Sequence, residues 1–253
     1  MSAPLQITVR KPDLVVTAFS ATSSTTVDAG QAITLTWTVA NQAASLGTAY
    51  QPWHDRVWLS TDNTFGGDSP LGLLTHSTDL AAGTDYTVAS FNETISTALA
   101  AGTYYLFLQT DTFSLVAEED ESNNVSAPLQ ITVRKPDLTP TALAVPASAA
   151  RNTQIAVSWT VTNSGDAQAL QPWTDRIWLS TDNVLGGDTL LGGVTHTSDL
   201  AASGNYNENS NVTIPNGAAT GASFIILETD TLGNVAESDE SNNTTAQPIT
   251  ITP

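Results

Sequence analysis

Cysteine is absent from the 253-residue chain, so disulfides, thiol nucleophiles and thiolate metal sites are all excluded. Basic residues are scarce as well: seven Lys and Arg stand against 25 Asp and Glu, for a formal charge of −18. Nucleic acid and anionic lipid both need a basic footprint, and this composition argues against either as a partner. It favours cations. No apolar run approaches the ~20 residues of a spanning helix, so membrane insertion is not expected. The residues after Met1 lack a signal-peptide pattern, which fits a mature or excised segment. A helical period of useful length is missing too.

What is present is repetition. SAPLQITVRKPDL occurs at 2–14 and again, unchanged, at 126–138. QPWHDRVWLSTDNTFGGD (51–68) matches QPWTDRIWLSTDNVLGGD (171–188), and VAEEDESNN (116–124) matches VAESDESNN (235–243). Each unit is about 120 residues long, near the common size of one domain. The expected organisation is a leftover strand at 1–10, a first repeat at 11–135 and a second at 136–253. Residues 2–10 match the strand that closes the first unit, which suggests a segment cut from a longer tandem array. Their alternation of Leu5, Ile7 and Val9 is built to pair with a sheet. Self-association by strand addition in a neighbouring molecule, building filaments, is one expectation; a frayed remnant is the other. AQPITITP, the equivalent at the end of the second unit, is expected to dock less firmly.

Within a unit the pattern is β. ITLTWTV (33–39) puts Ile33, Leu35, Trp37 and Val39 on one face, and Ile155, Val157, Trp159 and Val161 repeat it. Further short strands alternate with Gly, Asn, Asp and Pro turn signals, which predicts an all-β, antiparallel sandwich for each unit. The Trp on this early strand is assigned to core packing.

Three sets of residues are candidates for metal. The first is Asp111, Glu118, Asp120 and Glu121, in the loop between the last two strands, recurring as Asp230, Glu237, Asp239 and Glu240. Calcium takes six to eight oxygens and tolerates irregular loops; magnesium and zinc fit less well, since Cys is missing and Thr174 replaces His54. A solvated acidic loop is the competing reading. The second set brackets a Gly-Gly turn at the opposite end of the sandwich: Asp62, Asn63 and Asp68, with Asp182, Asn183 and Asp188. An Asx-type turn explains it equally simply. The third is Asp55, matched by Asp175. It shares its register with Val57 and Leu59, so its carboxylate points to the core edge and needs a partner. A metal beside the acidic loop or the loop's backbone N–H groups would serve.

Arg56 and Trp58, repeated as Arg176 and Trp178, could stack as cation–π pairs or form a platform for sugar rings. Tyr105 and Phe107 on the adjacent strand favour an ordinary packed layer. Catalysis is not expected. His76 and His196 are matched, but no Ser sits in an elbow motif, and the acids are bunched rather than opposed. Each histidine reads as a hydrogen-bonded turn residue.

KPDL at the start of each unit, WHDRVWLSTD in its middle and D-T-x-x-x-V-A-E-x-D-E-S-N-N near its end resemble the CARDB family, cell-adhesion-related domains of bacteria. The resemblance implies immunoglobulin-like sandwiches repeated in secreted or surface proteins. It singles out Asp111, Val116, Glu118, Glu121, Asn123 and Asn124 with their second-unit matches. Leu115 departs from the usual polar residue, which Asn234 supplies in the second unit. The expected function is a calcium-stabilised adhesion or structural repeat in an extracellular protein: a stalk, adhesin segment or filament subunit. Neighbouring repeats, a surface glycan or a protein receptor would be its partners. A polysaccharide-binding module attached to an enzyme, using Trp58 and Trp178, is the alternative.

Overall fold

The computed structural model describes residues 4–42, 44 and 46–253. Two units emerge, Met1–Val133 and Arg134–Pro253. The first holds β1 (Leu14–Ala21), β2 (Thr26–Asp28), β3 (Ala32–Asn41), β4 (Trp53–Ser60), β5 (Ser69–His76), β6 (Asp85–Thr94), β7 (Gly102–Gln109) and β8 (Leu129–Arg134). The second repeats them as β9 (Leu138–Ala144), β10 (Ser148–Ala150), β11 (Gln154–Asn163), β12 (Trp173–Ser180), β13 (Thr189–His196), β14 (Asn205–Thr213), β15 (Gly221–Glu228) and β16 (Thr244–Thr252). Each unit faces a three-stranded sheet, β1-β3-β6 or β9-β11-β14, with a five-stranded one, β2-β8-β7-β4-β5 or β10-β16-β15-β12-β13. This is the immunoglobulin-like sandwich. No helix among the described residues is long and apolar enough to cross a membrane.

Strict alternation builds the core. Ile33, Leu35, Trp37 and Val39 on β3 are buried, as are Val57, Leu106, Leu108, Ile131 and Val133 from the facing sheet. Fully burying such a side chain is worth roughly 1.5–3 kcal/mol. Thr34, Thr36 and Thr38 take the outer face, where Thr34 donates to Asn92 and Thr38 meets Thr87.

The opening segment of each unit runs close over a loop glycine. A Cβ on Gly47 would lie 2.2 Å from the Lys11 carbonyl carbon, and one on Gly165 would lie 2.4 Å from the Lys135 oxygen. Only glycine admits that approach.

Identical sequence meets two fates. In β8 the segment buries Ile131 and Val133, each at 1% exposure. In residues 4–10, where no strand forms, Ile7 is 74% and Val9 76% exposed. Residues 2 and 3 of the expected N-terminal strand lie outside the described residues. The final strand corrects an expectation. β16 pairs with β15 from Gly221↔Ile251 through Glu228↔Thr244, a longer ladder than β8 makes with β7 from Gly102↔Val133 to Leu106↔Leu129. The Ser126-Ala127-Pro128 stretch interrupts the ladder before β8, whereas β16 starts right after Asn243 and keeps Pro248 within its ladder.

Candidate functional site

The acidic loop leaves β7 at Gln109 and folds back on the first residues of its own unit. Asp111, at φ 41°, turns the chain, and its carboxylate accepts the N–H groups of Leu115 (2.9 Å) and Val116 (2.8 Å). That turn drives Val116 into the core. Glu118 is buried. Its carboxylate accepts the Leu14 N–H and the Asn124 amide, while its own N–H donates to Glu121 Oε1 at 2.9 Å. Asp120 caps Ser122 through both N–H and hydroxyl. The opening segment is gripped from several points: Lys11 Nζ donates to the Glu118 carbonyl, the Glu119 N–H to the Pro12 carbonyl, and Asn123 Nδ2 to Asp13.

The second unit repeats the clamp. Leu138 N–H donates to Glu237 Oε2 at 2.8 Å, Ser238 N–H to the Pro136 carbonyl, Asn242 to Asp137 and Lys135 Nζ to the Glu237 carbonyl. Asp230 caps Asn234 and Val235, Glu240 accepts the Glu237 N–H, and Asp239 caps Ser241. The KPDL and VAExDESNN motifs, joined by bonds that span 104 positions in the first unit and 99 in the second, are two halves of one device.

Burial sets the charge states. It pushes Glu118 up to about 7, with the Leu14 N–H and Asn124 pulling down and the charges of Asp111 and Glu121 pushing up. Glu237 rises to about 8, again mainly by burial. Burial also raises Asp111 and Asp230, against the pull of the backbone N–H groups they cap. Exposed Asp120 and Asp239 are lowered by their serines.

Among the described residues, no three His, Asp or Glu side chains are grouped as metal ligands. The buried oxygens of Asp111 and Glu118 already accept N–H groups, so this donor set fits a hydrogen-bonded clamp better than a calcium cage.

Asp55 is held by side chains, not by backbone N–H groups of the loop. Its carboxylate, 1% exposed, accepts Trp37 Nε1 at 2.7 Å and the Tyr86 hydroxyl at 2.7 Å. His76 Nε2 lies 2.9 Å from the same oxygen, so that nitrogen carries the proton. Asp175 repeats the hub with Trp159, His196 and Tyr206, and adds Thr229 Oγ1 at 2.7 Å. The histidines are hub members at strand ends rather than turn residues, and the tryptophans are donors as well as core. Burial, then the neighbouring carboxylate, raises both tyrosines and keeps them protonated donors.

The Gly-Gly turn lies at the other end of β4. Asp62 accepts the Thr64 N–H and Asp68 the Gly66 N–H, and Asp182 and Asp188 do likewise for Val184 and Gly186. Asn63 and Asn183 are exposed. Asp62 and Asp182 thus form Asx turns, and Asp68 and Asp188 bond back across the loop.

On the outer face of β4, Arg56 stacks between Trp58 (5.1 Å) and Phe113 (4.9 Å), and Phe65 stands edge-on to Trp58 and Phe107. Trp58 Nε1 donates to Gln109, and Trp178 Nε1 to Glu228. The face is a packed layer.

The CARDB family model matches residues 11–128 and 135–247, which covers both sandwiches and both clamps. The chain belongs to the CARDB family. A comparison with functionally curated proteins finds no match. Among solved structures, the chain is similar to the CARDB domain of a Pyrococcus furiosus protein, crystallised in complex with di-metal ions. That pair shows 20% identity over 47% of this chain and 90% of that one, with a TM-score of 0.37. The solution structure of the same domain gives 19%, 47%, 96% and 0.37. A domain from a protein of Methanosarcina acetivorans, assigned to the cell surface, gives 19%, 47%, 93% and 0.36. Two of the three motifs that carry the resemblance form the clamp and the third, WHDRVWLSTD, holds Asp55 of the hub, whose partners sequence reasoning missed. Its signal was available: Trp37, Asp55, His76 and Tyr86 all recur as Trp159, Asp175, His196 and Tyr206, whereas His54 does not recur.

Proposed function

We propose that this CARDB pair is a load-bearing adhesion segment of a secreted or cell-surface protein, working outside the cell and without catalysis. The clamp carries this reading. The residues it grips are those through which tension enters a unit, because Lys135 follows directly on β8, which ends at Arg134. A network of hydrogen bonds converging on that point, each worth roughly 0.5–1.5 kcal/mol net, resists peeling of the opening segment. Stretching single molecules of the full chain tests it. Two unfolding events are expected, and Glu237→Ala should lower the force of one of them while leaving the other unchanged. Unaltered forces for both events would remove the mechanical role.

Calcium stabilisation is the second reading. It is supported by crowded like charge: Glu121 and Asp111 both push Glu118 upward, and a cation at the solvent side of the loop would relieve that. Saturating calcium at ~100 times its dissociation constant would add about 2.7 kcal/mol per site. Melting with calcium is then expected to exceed melting with chelator, and equal midpoints at low ionic strength would leave the clamp standing alone. A surface glycan or protein receptor would complete an adhesive role.

A further inference from the structure

The two units differ at one edge of the sandwich. In the first unit the inward face of β6 carries Val88 opposite Trp37 and Phe91 opposite Leu35. Phe91 stands edge-on to Trp37 at 5.1 Å and reaches across to β5, within 2.7 Å of where a Cβ on Gly72 would lie. Phe91 therefore plugs the gap between the two edge strands. In the second unit the same register holds Glu208 opposite Trp159 and Ser210 opposite Val157. There Val212 stands against the facing strand, 3.3 Å from where a Cβ on Gly192 would lie.

Beside Glu208 a cavity of about 320 Å³ opens, lined by Trp173, His196, Thr197, Asp199, Tyr206 and Glu208 among others, with no Lys or Arg. That volume sits at the small end of ligand pockets, which run from roughly 300 to 1,000 Å³.

The chemistry of the lining is one-sided. Asp199 spends its oxygens on the Gln171 N–H and on Gln168. His196 turns its Nε2 to Asp175, 3.0 Å away. Glu208 adds a carboxylate with no partner among the described residues. Tyr206 and Trp173 add aromatic rings, His196 lying 5.1 Å from Trp173 and 4.2 Å from Tyr206. Acceptors, negative charge and aromatic surface together select a donor-rich cation with an apolar body. We propose that this cavity binds a small organic ammonium ion, its charge on Glu208 and its carbon body against the aromatic wall. The first unit carries Val88 at the register position of Glu208, so it has no carboxylate there.

The test is a titration of the full chain with butylammonium, and with 1-butanol as the neutral counterpart, followed by amide NMR. Butylammonium is expected to shift the signals of Thr197, Asp199 and Tyr206 along a saturable curve, while 1-butanol does not. Glu208→Gln, which keeps the volume, should weaken binding at least tenfold, and Glu208→Val, which places the first unit's residue at this position, should abolish it. Equal binding of butanol, or equal affinity in Glu208→Gln, would overturn the proposal. So would the same shifts around Val88.

Discussion

Replacing Asp175 by Ala is expected to lower the stability of the second unit by roughly 3–5 kcal/mol, the range seen when one side of a buried charged network is removed. The carboxylate is fully buried and accepts from Trp159, Tyr206, Thr229 and His196. Deleting it leaves these donors facing each other without an acceptor, at about 1–3 kcal/mol for each buried group left unpaired, less than additively. For a unit of this size the melting midpoint should fall by roughly 10–20 °C. Asp175→Asn should cost less, because its amide oxygen can still accept where Trp159, Tyr206 and His196 converge. Asp55→Ala should act in the same way on the first unit, where Trp37, His76 and Tyr86 lose their acceptor. Calorimetry of the three variants measures this. A loss below ~1 kcal/mol in both alanine variants would mean that the hub is not holding the sheets together.

Acidification is expected to stabilise the protein, against the usual behaviour of carboxylates. Glu118 and Glu237 have folded values of about 7 and about 8, above the ordinary 4.5. The folded state therefore binds protons more readily than the unfolded one, and stability must fall as pH rises. The fall starts near 4.5, ends near 7 for Glu118 and near 8 for Glu237, and is level beyond. Asp111 and Asp230, also raised, act in the same direction. At about 1.4 kcal/mol per unit of pKa, the buried glutamates together should make each sandwich roughly 2–4 kcal/mol more stable at pH 5 than at pH 8. Glu118→Gln should flatten the profile of the first unit and raise its stability at pH 8. The geometry provides for a neutral side chain there: Asn124 Oδ1 is buried without a partner, so turning the Asn124 amide offers an acceptor to a neutral neighbour. Denaturant unfolding across this pH range is the measurement. A profile rising with pH would show that the glutamates are charged and satisfied in the folded state.

How much of this was legible before the fold was known follows from the distance over which each feature acts. The sandwich was legible because alternation is local: the buried set on β3 is written in seven consecutive residues. The acidic loop could be placed at the β7 end, with the Gly-Gly turn opposite, for the same reason. What the acids do there was not legible. Glu118 is satisfied by the backbone of Leu14, 104 positions away, and a backbone N–H leaves no mark in a sequence. Asp55 was recognised as a charge in need of a partner, but its partners sit on three other strands, at separations of 18, 21 and 31 residues. The exchange of Val88 for Glu208 was hidden in the same way, since the two become equivalent only through the register of β6 on β3 and of β14 on β11.

The central claim is that the clustered carboxylates serve inside the molecule, with a buried glutamate closing each unit on its own opening segment. Carboxyl-carbon NMR titration of Glu118 and Glu237 in the full chain, without divalent ions, tests this most directly. The account predicts midpoints near 7 and near 8, well separated from the exposed acids of the same loops. Midpoints at or below the ordinary 4.5 for both residues would contradict it.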